Sequence, residues 1–123
     1  MAMSSDELES AFAELSVDYW KLLRAFARAT AQLDDERARR ANAQERYATG
    51  RLEAALSAAN IQMAVFTGRP LGADLPVSVV NGDEAGTLSD AIVEETLEPT
   101  ILSGERVLRM GKVIAGAGNV PRN

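Results

Sequence analysis

Large apolar side chains recur seven residues apart early in the chain. Leu8, Leu15 and Leu22 form one row, and Phe12, Tyr19, Phe26 and Leu33 form another. The rows alternate at spacings of four and three, which merges them into one seam along a helix, the pattern that joins helices in a coiled coil. A helix with such a seam cannot bury it alone, so the pattern predicts oligomerisation through these residues. Ser4 followed by Glu7 has capping-box spacing, in which hydroxyl and carboxylate satisfy each other's backbone amides. Asp6, Glu7 and Glu9 stand where the helix dipole favours anions. With no breaker before about Ala48, the reading is a rod of roughly 65 Å at ~1.5 Å per residue. The seam weakens after Leu33, where Glu36 and Arg40 fall on it, and resumes at Tyr47. Thr49-Gly50 predicts a kink or stop. Beyond it Leu52, Leu56, Ala59 and Met63 share one face of a second, shorter helical pattern.

After Pro70 the pattern changes character. Residues 66–71 (FTGRPL), with Gly68, Pro70 and then Gly72, carry the strongest punctuation in the chain. Residues 75–80 (LPVSVV) form a short β-branched run closed by Asn81-Gly82, a dipeptide favoured in tight hairpin turns. Residues 91–97 and 106–114 read as two more strands, with Pro99 ending the first and Ser103-Gly104-Glu105 between them. Leu88, Ile92, Val93, Thr96 and Leu97 also fit a helical stripe starting near Ser89 or Asp90. The weight of Val and Ile, and Pro99 so close behind, favour strand. The expected class is therefore α+β: a long N-terminal coiled-coil-type helix followed by a small β-rich domain. Its divisions are a helical stalk over 1–66, a β domain over 67–116 and a flexible tail over 117–123, where residues are small and polar.

Composition narrows the function. A chain of 123 residues with net charge -5 lacks the clustered cations that phosphate backbones require, so no nucleic-acid partner is expected. Arg37, Arg39 and Arg40 are preceded directly by Asp34, Asp35 and Glu36, which reads as a solvated helix surface of mixed charge. Cysteine and histidine are both absent. That removes disulfides, thiolate nucleophiles, the usual zinc ligands and imidazole catalysis. Residues 1–6 lack a basic stretch followed by an apolar run, so no secretory signal is expected. No stretch approaches the ~18 continuous apolar residues of a membrane helix. A soluble cytoplasmic protein with no membrane partner is the expectation.

Residues 106–115 (RVLRMGKVIA), as a single strand, would place Arg106, Leu108, Met110 and Lys112 on one face and Val107, Arg109, Gly111 and Val113 on the other. Mixed apolar and basic faces fit a half-exposed edge strand with snorkelling side chains. They also fit a contact surface anchored by arginine, whose planar fork pairs with carboxylates. Glu94, Glu95 and Glu98 could be imagined as a metal or acid–base cluster, but without histidine a solvated strand edge is the better reading. No enzyme activity, metal or cofactor is expected. Gly116-Ala117-Gly118-Asn119 lacks the third glycine and following helix of a phosphate loop. Trp20 sits beside the seam and is expected to cover its flank.

The order long heptad helix, short helix, Pro-Leu loop and compact β module resembles the GrpE family, the nucleotide exchange factors of DnaK-type chaperones. The likeness is best over 66–115. Pro70-Leu71, Val77-Ser78-Val79-Val80, the acidic turn Asn81-Gly82-Asp83-Glu84, Ala85-Gly86, and Ile101-Leu102-Ser103-Gly104-Glu105-Arg106-Val107-Leu108-Arg109 match successive family motifs. Thr100 stands where that family usually has glycine, Glu105 looks like an insertion, and Leu75-Pro76 replaces its histidine. The resemblance implies a stalk-paired homodimer acting as a co-chaperone. Its β module would insert against the chaperone's nucleotide-binding domain and favour the open cleft, weakening ADP binding. Leu97, Arg106 and Ala115 fall at the family's partner-binding positions. The competing reading is a coiled-coil adaptor or assembly subunit of a larger complex.

Overall fold

The computed structural model describes residues 3–82 and 90–117. They form an α+β chain in two compact units, Met1–Gln62 and Met63–Asn123.

In the first unit, helix α1 spans Ser5–Ala29. It starts where the capping box predicts: the Glu7 amide donates to Ser4 Oγ at 3.1 Å, and the Ser4 amide donates to Glu7 Oε1 at 2.9 Å. The Ser4 backbone N–H, and then its hydroxyl, hold the Glu7 carboxyl below the ordinary carboxylate value. The helix does not run on to Ala48. Thr30 closes it, its hydroxyl donating to the Phe26 carbonyl at 2.9 Å. Four residues later Asp34 opens helix α2, Asp35–Ala59, by accepting the Arg37 amide at 2.9 Å. The single rod is therefore two helices of 25 residues each. Its cause lies in the acidic trio: Asp34 is an N-cap, while Asp35 and Glu36 occupy the first turn, where the dipole favours them.

The expected kink at Thr49-Gly50 is also absent, since α2 passes through both. Packing along the pair outweighs the roughly 1 kcal/mol helix cost of one glycine. The helix stops instead at Asn60, in the left-handed region at φ 58°, with the Ile61 amide returning to the Leu56 carbonyl at 2.9 Å. That is a Schellman-type end. Met63 consequently leaves the helical stripe for a strand. The short link at 30–34 makes the helices antiparallel, and the Tyr19 hydroxyl donates to the Ala48 carbonyl at 2.8 Å between them. α1 buries Ala13, Ser16 and Val17, while α2 buries Ala41, Leu52 and Leu56.

The second unit holds two three-stranded sheets. One has the order β1-β4-β5 and the other β2-β6-β3. The strands are β1 (Gln62–Ala64), β2 (Val77–Val79), β3 (Ala91–Glu98), β4 (Thr100–Ser103), β5 (Arg106–Arg109) and β6 (Gly111–Ala117). β2 pairs in parallel with β6, Val77 opposite Gly111 and Val79 opposite Val113. Asn81-Gly82 therefore does not turn the chain into an adjacent antiparallel strand; a parallel partner must be reached by a longer crossover. The expected positions Asp83, Glu84, Ala85, Gly86, Leu88 and Ser89 lie outside the described residues, as does the tail beyond Ala117, itself the last residue of β6.

β3 is a strand, as its composition indicates, but an irregular one. Val93 faces Ala115, Glu95 faces Ile114, Thr96 faces Val113 and Glu98 faces Lys112. Glu94 and Leu97 are the extra residues of two bulges. The chain then turns at buried Pro99 and enters the other sheet as β4, a strand that the sequence pattern did not reveal. Gly104, at φ 64°, begins the two-residue turn that returns β4 to β5, with Ser103 opposite Arg106. The expected strand over 106–114 is split at Met110. β5 stays in the first sheet and β6 crosses to the second.

Gly111 shows why that crossing sits where it does. A β-carbon there would lie 2.7 Å from both the Glu98 carbonyl oxygen and Thr100 Oγ1. The Gly111 amide donates to Thr100 Oγ1 at 3.1 Å, and that hydroxyl donates to the Pro76 carbonyl at 2.8 Å. The core of the unit is Val93, Ile101, Val113 and Ala115, with Thr96, Pro99 and Thr100 also buried.

Candidate functional site

The β4–β5 hairpin sorts its two arginines by role. Arg106 follows the turn and is exposed, next to Val107 at 41 % exposure. Arg109 points the other way: its Nη1 lies 2.8 Å from Glu98 Oε1, with the carboxylate only 9 % exposed. Lys112 Nζ stands 3.9 Å from the same oxygen. Glu98 is thus not part of a solvated edge. It is a buried carboxylate at the end of β3, reached by a cation from β5 and another from β6, and the ion pair ties the two sheets together. Burial of one charge is tolerated because the partner is within hydrogen-bond distance. Glu94 and Glu95 are exposed, and the Glu94 side chain lies where a β-carbon on Gly116 would fall, 2.5 Å from its Oε1. Among the described residues no group of three or more acidic side chains is placed to hold a metal ion.

The three positions expected to contact a partner are not alike. Leu97 lies on the second bulge of β3, half-buried. Arg106 stands at the hairpin end. Ala115 is 4 % exposed and faces Val93 in the core, so its side chain offers nothing to solvent. The single alternating face imagined over 106–115 does not form, because Lys112 belongs to a different sheet from Arg106. Met110, at the junction, is 49 % exposed.

The proposed oligomerisation residues divide as well. Leu8, Leu15 and Leu22 are 60, 64 and 71 % exposed, whereas Phe12 and Tyr19 are half-buried. Phe26 and Leu33 are each 37 % exposed. α2 packs against a neighbouring face of α1 and leaves the leucine row open. An apolar groove of about 590 Å³ runs beside it, lined by Leu8, Ala11, Phe12, Leu15, Ala59 and Ile61. Trp20 is half-buried and carries the Arg24 guanidinium over its ring, 4.7 Å from the centroid.

Two residues outside the expected site organise the β unit. Asn81 hydrogen-bonds both backbone groups of Ala115, and Thr100 bridges Pro76 and Gly111. Asn81 was visible only as half of a turn dipeptide, and Thr100 only as a departure from glycine. No helix among the described residues is long and apolar enough to cross a membrane. Compared with models of known families, with curated proteins and with solved structures, the chain matches none.

Proposed function

We propose that this chain is a GrpE-like co-chaperone that binds a DnaK-type chaperone through its β unit and promotes ADP release. The observation that carries the reading is the β4–β5 hairpin. Residues 101–109, part of the 66–115 stretch that carries the resemblance, form one short antiparallel pair that holds Arg106 and Val107 outward while Glu98 secures Arg109. An exposed arginine beside apolar surface is the kind of anchor that binding hot spots favour. A partner engaged this way need only bind the chaperone's open state more tightly than its closed state to shift nucleotide affinity. Leu97 would contribute a second contact, and α1 would pair with a second copy as a homodimer through Leu8, Leu15 and Leu22. In a stopped-flow assay, Arg106→Ala is expected to slow chaperone-stimulated ADP release by about tenfold, the loss of roughly 1.4 kcal/mol of binding, with an unchanged melting temperature. Unaltered release kinetics would count against the assignment.

The leucine row supports a second reading. A helical hairpin with three exposed leucines in register can dock on the helices of another protein, making this an adaptor or assembly subunit without exchange activity. Mixing the chain with a DnaK-type chaperone separates the two. Nucleotide-sensitive co-elution supports exchange, and co-elution only with a helical partner supports the adaptor.

A further inference from the structure

Asn81 combines a structural task with a reactive neighbour. β2 ends its regular pairing at Val79 opposite Val113, and the Val80 amide then donates to the Val113 carbonyl at 3.0 Å. The Asn81 side chain adds one more rung. Its Nδ2 donates to the Ala115 carbonyl at 2.8 Å, and the Ala115 amide donates to its Oδ1 at 2.9 Å. A carboxamide can do this because it carries a donor and an acceptor side by side, as a peptide group does. Ala115 is in the buried centre of β6, so both of its backbone groups need partners.

The next residue is Gly82, exposed and, among the described residues apart from its chain neighbours, with no atom within 4 Å of where its β-carbon would sit. An asparagine followed by an unhindered glycine is the pair most open to attack by the backbone on its own side chain. We propose that Asn81-Gly82 is a self-modification site gated by the Ala115 clamp. When the clamp opens, the Gly82 amide nitrogen loses its proton and attacks Asn81 Cγ. A new N–C bond closes a five-membered succinimide, the Cγ–Nδ2 bond breaks, and the nitrogen leaves as ammonia. Water then opens the ring at either carbonyl, leaving aspartate or isoaspartate at position 81. Neither product restores the rung. An ionised carboxylate only accepts hydrogen bonds, so it faces the Ala115 carbonyl with no donor between them. Isoaspartate also lengthens the backbone by one methylene. The change is one-way, and each opening of the β2–β6 junction carries a chance of making it permanent.

The test incubates the full chain at one mildly alkaline pH, in buffer and in urea, and follows residue 81 by peptide mass spectrometry as NH₂ is replaced by OH. Loss of Asn81 is expected to be at least about tenfold slower in the folded chain, equivalent to ~1.4 kcal/mol of local opening free energy. Gly82→Ala is expected to slow the reaction in urea while leaving thermal melting unchanged, because the added methyl meets no neighbour among the described residues. Asn81→Asp is expected to melt below the parent chain. Equal rates in buffer and urea, an intact Asn81 in urea, an unchanged rate for Gly82→Ala, or an unshifted melt for Asn81→Asp would each overturn the proposal.

Discussion

Gly111 is the residue on which the β unit turns from one sheet to the other. Its role is steric rather than conformational, since backbone and a hydroxyl approach within the space of a methyl group. Gly111→Ala must push the Pro99–Thr100 corner away and stretch the bond to Thr100. A cost of about 1–3 kcal/mol is expected, read as a lower urea midpoint with an unchanged slope. At this scale the sequence was legible in part. Arg106 and Val107 are exposed at the start of β5, as the mixed basic and apolar pattern over 106–115 suggests for a half-exposed strand. Glu98 was not recognisable as buried, because nothing local distinguishes it from Glu94 and Glu95. Its burial comes from Arg109, eleven positions on, which no periodicity connects to it.

Among the elements, the start of α1 was readable because a capping box is written in adjacent residues. The start of α2 was written just as locally, in Asp34, but arginines following three acids also look like paired charges on a helix surface. The surface pairs do exist, at 3.8 Å for Arg37–Asp34 and 3.5 Å for Arg40–Glu36. They are exposed and contribute little, so the cap decides the outcome. Asp34→Ala is expected to destabilise the helical unit by about 1 kcal/mol, seen as an earlier loss of helical circular dichroism on heating. β3 explains its own ambiguity. Each bulge inserts a residue, so buried positions Val93 and Thr96 fall three apart, as they would on a helix. The parallel pairing of β2 with β6 had no local signature, since it joins residues more than thirty positions apart.

For the whole molecule, the change in pattern near Pro70 made the α+β class legible, and two helices followed by strands are what the chain forms. The heptad seam, by contrast, identified apolar residues without identifying what covers them. Part of it turns toward α2 through Phe12 and Tyr19, and the leucine row remains outward. Replacing Leu15 and Leu22 with asparagine is expected to reduce the mass seen by light scattering to that of one chain while helical content is retained. A parent chain already at that mass would count against self-association through the row.

The backbone passes between the two sheets three times, once through the long link from β1 to β2 and twice through a single residue, at Pro99 and at Met110. Neither sheet can therefore fray without dragging on its neighbour, like two pages stitched along a shared spine. Hydrogen exchange at the Val93, Ile101 and Val113 amides should then report one common opening free energy rather than a separate value for each sheet.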